Sequence, residues 1–169
     1  MNRTSFFIDG FNLYHSLCTP SRKHYKWLNI RKLCEFYLQN QDILTDIFYF
    51  SALPTWDQEK TKRHQVYLDA LRSENIEIVL GKFKKVTRKC LLGCNGNVSN
   101  TFQTFEEKET DVNIAIHLLE AGLTNKFDKA VIISGDSDLI PPVKRIRELF
   151  PKKIVTIYPP LRDLKGGAL

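Results

Sequence analysis

What this 169-residue sequence lacks narrows its reading first. No apolar run approaches the roughly 20 residues that a membrane-spanning helix needs, and the first residues read as a strand rather than a charged leader with a cleavage site. A membrane protein and an exported precursor are therefore not expected, and a cytoplasmic location is. Cysteine is sparse: Cys18, Cys34, Cys90 and Cys94 make no small-scaffold disulfide framework, and the first two fall in or near helical patterns, which predicts reduced thiols. There is no internal repeat, no linker and no base-reading motif. With 43% hydrophobic residues the chain is long enough for one full core and short for two. The expectation is a single domain over 1–160, followed by a tail at 161–169 that has little to bury and frays.

What is present is an alternation. Apolar runs rich in β-branched and aromatic residues occur at 5–9, 43–52, 76–80, 130–134 and 153–158, and helical stripes lie between most of them. Those stripes are Ile30, Leu33, Cys34 and Tyr37; Val66, Tyr67, Ala70 and Leu71; Val112, Ala115, Ile116 and Leu119; and Leu139, Val143, Ile146 and Phe150. The pattern predicts an α/β fold with a mostly parallel sheet of about five strands flanked by helices. Pro141 and Pro142 fall in the first turn of the last helix, where amide donors lack intrahelical acceptors, so a helix start at Asp138 is expected. One stretch breaks the rhythm. Residues 82–105 follow the third strand, carry Asn95-Gly96, and read as an inserted basic hairpin or loop.

Two strands end in acids at a turn, Phe7-Ile8-Asp9-Gly10 and Ile133-Ser134-Gly135-Asp136-Ser137-Asp138, and Asp111 opens the helix upstream of the second. In a parallel sheet the crevice lies outside the carboxyl ends of the strands, so these acids are delivered where ligands bind. Two carboxylates ~4 Å apart repel by about 4 kcal/mol at an effective dielectric of 20. Clustered acids therefore favour a cation, and Mg²⁺ or Mn²⁺ suits a site made only of oxygen ligands. Such an ion lowers the pKa of bound water and neutralises a leaving oxygen, as phosphodiester hydrolysis requires. Asn12, Ser134 and Ser137 are placed to hydrogen-bond a phosphate or an ion-bound water. Singly, each group has a plainer reading: Asp111 as a first-turn acid favoured by the helix dipole, Asp138 and Asn12 as caps, Asp9-Gly10 as a turn.

The segments Phe7-Ile8-Asp9-Gly10-Phe11-Asn12-Leu13, Lys108-Glu109-Thr110-Asp111-Val112 and Ser134-Gly135-Asp136-Ser137-Asp138-Leu139, in that order, resemble the NYN domains of the PIN-like nuclease superfamily, most of all the bacterial LabA-like proteins of the DUF88 group. The resemblance covers about residues 4–160. It implies a Rossmann-like, PIN-type fold with a central acidic pocket and Mg²⁺- or Mn²⁺-dependent ribonuclease activity. Carried onto this chain, it makes Asp9, Asp111, Asp136 and Asp138 the catalytic and metal-site acids, with Asn12 positioning substrate and Ser134 supporting the pocket. Some relatives carry a fuller cysteine knuckle in the insertion. Here Cys90 and Cys94, spaced C-x3-C with no histidine nearby, cannot complete a four-ligand zinc site locally. Relatives also often continue past the Pro-Pro, so the sheet edge here is open or completed by a second copy of the chain.

The net charge of +6 with an acidic site places the cations on surrounding surfaces, which favours a polyanionic partner, though a basic surface also serves solubility alone. Lys84, Lys85 and Arg88 in the insertion, with Lys82, Lys89 and Phe83, make a ribbon suited to a phosphate backbone, or equally a solvated edge hairpin. Single-stranded RNA as the ligand is what the resemblance implies. His117 reads as a packing residue rather than a base. The leading expectation is a metal-dependent ribonuclease. The rivals are a non-catalytic RNA- or protein-binding regulatory module that keeps the pocket, and a phosphatase acting on a small phosphoester.

Overall fold

The computed structural model describes residues 1–89 and 101–160. Cys90, Cys94, the Asn95-Gly96 turn and the tail at 161–169 lie outside the described residues. The chain begins with β1 (Asn2–Asp9) and α1 (Gly10–Ser16), then a short 3-10 turn at Lys23–Tyr25, α2 (Ile30–Tyr37), β2 (Asp42–Ser51), α3 (Gln58–Ser73) and β3 (Glu77–Leu80). It continues with β4 (Lys82–Lys89), β5 (Thr101–Lys108), α4 (Thr110–Leu123), β6 (Lys129–Ile133), α5 (Ile140–Leu149) and β7 (Ile154–Tyr158). Five strands form one sheet in the order β3-β2-β1-β6-β7 with every pairing parallel, and β4 and β5 form a separate antiparallel ribbon.

The near-continuous apolar character of β1, β2 and β6 follows from burial on both sides, as expected of strands covered by helices. Phe7, Phe48, Phe50 and Ile132 pack with Ile114 and Leu118 of α4 and Val143 and Ile146 of α5. On the other face Phe6, Ile8, Tyr49 and Val131 pack with Leu13, Ile30, Cys34 and Leu68 of α1, α2 and α3. Period-two alternation along β1 thus sends Phe6 and Ile8 one way and Phe7 the other, and it assigns Asp9 to the face covered by α4. Phe7 anchors that side, stacked on Phe48 at 5.1 Å and edge-on to Phe127 at 6.2 Å between ring centroids.

The strand order has a functional consequence. From β1 the chain builds outward through β2 and β3, then returns to lay β6 against the opposite side of β1. The order therefore reverses between β1 and β6, and in open α/β sheets the crevice at such a reversal is where ligands bind. Asp9 closes β1, and Ser134, Gly135 and Asp136 follow β6, so both acidic turns flank it. Gly10 is required there by close approach: a Cβ at this position would lie 2.5 Å from the Tyr49 ring and 2.6 Å from the Phe50 carbonyl oxygen.

One boundary departs from the sequence reading. The last helix does not start at Asp138. Asp136 Oδ1 accepts the Asp138 backbone N–H at 2.9 Å and caps a 3-10 turn at Ser137–Leu139, after which α5 starts at Ile140 with Pro141 and Pro142 in its first turn. The prolines are tolerated as expected; the carboxylate two residues ahead fixes the entry geometry.

Candidate functional site

Asp9 is the buried centre of the site, only 4% exposed. Its two oxygens are held separately. Oδ1 accepts the Asn12 backbone N–H at 2.9 Å and so caps α1, and Oδ2 accepts the Ser134 hydroxyl at 2.8 Å across the β1–β6 junction. The same Ser134 oxygen accepts the Asp136 backbone N–H at 3.1 Å, and Asn12 Oδ1 accepts the Gly135 backbone N–H at 3.1 Å. These four bonds tie the turn after β6 to the turn after β1. Ser134, expected among the substrate-binding groups, is fully buried with its hydroxyl already committed, so it positions Asp9 and Asp136 instead. Asn12 has its Oδ1 engaged by Gly135, which leaves its NH₂ as the group able to donate to a ligand. Ser137 and Asp138 are exposed on the adjoining 3-10 turn.

Asp111 arrives from a different element. β5 turns into α4 through Glu109, whose φ of 79° is left-handed and uncommon for a residue with a side chain. This sharp turn puts Asp111 in the first turn of α4, where the helix dipole favours its charged form. Its pKa is nevertheless pushed up to about 6, first by burial and then by the negative charges of Asp136, Asp9 and Asp138. All four sequence-chosen acids therefore share one electrostatic neighbourhood. Burial likewise raises Asp9, opposed by its bonds to Asn12 and Ser134 and reinforced by Glu107 and Asp136.

Glu107 was not among the acids singled out in the sequence. It lies on β5, opposite Phe83 in the ribbon register, half-buried, and burial with the nearby Asp111 charge raises its pKa. Its carboxylate accepts from the Thr110 hydroxyl and from the Thr110 backbone N–H at 3.2 Å, which anchors the start of α4. Its only sequence signal was its place in Phe105-Glu106-Glu107-Lys108-Glu109, where nothing distinguishes it from its acidic neighbours.

The chemistry of this donor set fits a hard divalent cation. Every donor is a carboxylate oxygen, and the repulsion from Asp136, Asp9 and Asp138 that adds to burial in lifting Asp111 is what a cation relieves. The acids stop short of a cage. Among the described residues, no group of three His, Cys, Asp or Glu side chains forms a ready ligand set. Magnesium, which keeps several waters and takes one or two carboxylates directly, does not require one.

The pleat divides the ribbon cations. Antiparallel pairing puts Phe83, Lys85, Thr87 and Lys89 on the face that carries Phe105 and Glu107, and puts Lys82, Lys84 and Arg88 on the other. Arg88 is bound to Glu106 at 2.5 Å, Lys108 reaches the same carboxylate at 3.1 Å, and Lys82 pairs with Glu109. Lys85 therefore faces the side of the acids, whereas Lys84 and Arg88 do not. His117 packs against Phe48 and Phe50 and bonds the Asn113 carbonyl, in keeping with a packing role. His64 lies near the same end of the sheet, 3.1 Å from the Ser51 hydroxyl, its pKa lowered by burial.

Comparison with known proteins adds three findings. The sequence profile described as the NYN domain matches residues 3–162. The chain is 26% identical, over 189 aligned positions, to 6-hydroxy-3-succinoylpyridine 3-monooxygenase HspA of Pseudomonas putida (strain DSM 28022 / S16). That alignment covers 93% of this chain and 59% of the relative, so the chain spans somewhat over half of that protein's length. No solved structure matches the chain.

Proposed function

The chain belongs to the NYN domain family, and from that premise we propose that it is a divalent-metal-dependent ribonuclease whose site is the carboxylate cluster at the β1–β6 crossover. The observation that carries the reading is the bonded crossover, in which Ser134 ties Asp9 to Asp136 and Asn12 ties the same two turns, with Asp111 close enough that burial first, and then the charges of Asp136, Asp9 and Asp138, push its pKa up to about 6. Asp9, Asp111, Asp136 and Asp138 are the residues that would hold Mg²⁺ or Mn²⁺. When bound, such an ion lowers the pKa of water and offsets charge on the leaving oxygen. The protein's own part is positioning: Ser134 and the α1 backbone fix both oxygens of Asp9, Asn12 offers its NH₂ to a phosphate oxygen, and Lys85 supplies positive charge on the approach. The motif pattern further supports a place among the LabA-like proteins, with single-stranded RNA as ligand.

A hydroxypyridine monooxygenation, the activity in the Pseudomonas relative's name, acts on a small molecule and leaves the basic ribbon without a role. A polyanion uses both ribbon and acids, which is why we favour it. A second reading, an RNA-binding regulatory module without turnover, draws on the incomplete ligand cage among the described residues. End-labelled RNA separates the two. With Mn²⁺, wild type should release fragments bearing 5′-phosphate and 3′-hydroxyl ends, and EDTA or Asp136→Asn should abolish them. Equal cleavage by wild type and Asp136→Asn would overturn the proposal, as would 2′,3′-cyclic products, which mark attack by the ribose hydroxyl. Intact binding with no cleavage by any preparation would establish the second reading.

A further inference from the structure

A chain of aromatic rings leads away from the carboxylates. Phe11 immediately follows the Asp9-Gly10 turn, and its ring lies 6.1 Å from Phe83 of β4. Phe83 packs T-shaped with Trp56, their centroids 4.8 Å apart, and Trp56 stacks on Phe105 of β5 at 3.8 Å with the planes 5° apart. Three separate segments thus contribute to one strip: the start of α1, the loop before α3, and the inner face of the ribbon. The rings also hold the ribbon against the sheet, and two of them stay open to solvent. Trp56 is 42% exposed and Phe11 39% exposed. One indole face of Trp56 is covered by Phe105, and no second ring among the described residues stacks parallel to it. Lys85 and Lys89 stand on the same ribbon face, with no carboxylate within 4.0 Å among the described residues.

We infer that Trp56, with Phe11, Phe83 and Phe105, forms a base-stacking platform that holds unpaired nucleotides of a single-stranded RNA beside the carboxylate cluster. Aromatic faces next to cations that follow a backbone are the means by which single strands are held without sequence readout, since every base has a π-face. A duplex keeps its bases stacked on one another and has none to offer, so the platform selects single strands. This inference rests on the ribonuclease reading.

The test uses the full chain with Trp27→Phe as background, so that emission reports Trp56 alone, and with EDTA present so that nothing is cleaved. The probes are oligoadenylate of about ten nucleotides, an abasic strand of equal length, and a duplex. Oligoadenylate should quench Trp56 and bind about tenfold more tightly than the abasic strand. Phe11→Leu should weaken oligoadenylate binding severalfold, and a separate Trp56→Leu variant about tenfold by anisotropy, with Trp56→Tyr restoring most of it. Equal affinity for base-bearing and abasic strands, or an unmoved Trp56 signal on binding, would overturn the platform. Both of those comparisons need only the Trp27→Phe background and decide the matter even if Trp56→Leu fails to fold. Failure of the platform test would leave the wild-type against Asp136→Asn cleavage comparison to decide the ribonuclease reading, whereas stacking without any cleavage would overturn that reading alone.

Discussion

At the scale of single residues, Asp111 shows how the site works against the stability of the empty protein. Its folded pKa of about 6 lies above the ordinary 3.8, so between those values the folded state holds a proton that the unfolded state has lost. Stability therefore falls as pH rises through that window, and the full cost is present above pH 6. Asp9 and Glu107, also raised, act in the same direction. His64, lowered, acts oppositely: its contribution is present above its unfolded pKa and is lost as pH falls. Asp111→Asn removes one such cost while leaving the other groups in place. After discounting for solvent screening, the metal-free variant should gain about 1 kcal/mol at pH 7.5, or roughly 2–4 °C in Tm. The gain should shrink as pH falls through that window and vanish only below the ordinary value of 3.8, and millimolar Mn²⁺ should reverse it by stabilising wild type alone. A melting difference that stays constant with pH would contradict this account of Asp111.

At the scale of elements, the acids converge because strand ends do. β1 and β6 are neighbours, both end on the same edge, and Gly10 lets α1 start within contact distance of β2. Gly10→Ala would set a methyl carbon against the Tyr49 ring and the Phe50 carbonyl, neither of which can retreat from the core. The expected cost is about 1–3 kcal/mol, read as a drop of several degrees in Tm, together with loss of cleavage as Asp9 is displaced. A variant that melts and cleaves like wild type would show that the close approach is not needed.

This is also the scale at which legibility in the sequence differs most. Five strands were readable because doubly buried strands write themselves as apolar runs, and Asp9, Asp111 and Asp136 because each sits where a strand or helix meets a turn. α1 was not readable as a helix: seven residues are too few to repeat a stripe, and its cap is Asp9, a residue with another candidate role. The late start of α5 depends on a side-chain bond from Asp136 that a proline-based reading could not supply. Glu107 was hidden because its importance comes from register. Only the pairing of Phe83 with Glu107 and the folding of the ribbon onto Trp56 bring it to the site, and neither leaves a local signal. The same register separates Lys85 from Lys84 and Arg88, which are indistinguishable as neighbours along the chain.

At the scale of the whole molecule, a protein of net charge +6 carries a concentrated patch of negative charge at one edge of its central sheet. In the proposed ribonuclease, surface cations would draw a polyanion in, and the patch would admit it only with a positive ion between carboxylate and phosphate. No helix among the described residues is long and apolar enough to cross a membrane. The central claim is thus that the crossover carboxylates take up a divalent cation together. Calorimetric titration of metal-free protein with MnCl₂ at pH 7.5 tests it most directly. The account predicts saturable uptake in wild type that is lost in both Asp9→Asn and Asp136→Asn, although these acids lie in turns far apart in sequence that are joined through Ser134 and through the Asn12–Gly135 bond. No uptake at millimolar Mn²⁺, or uptake unchanged in both variants, would contradict it.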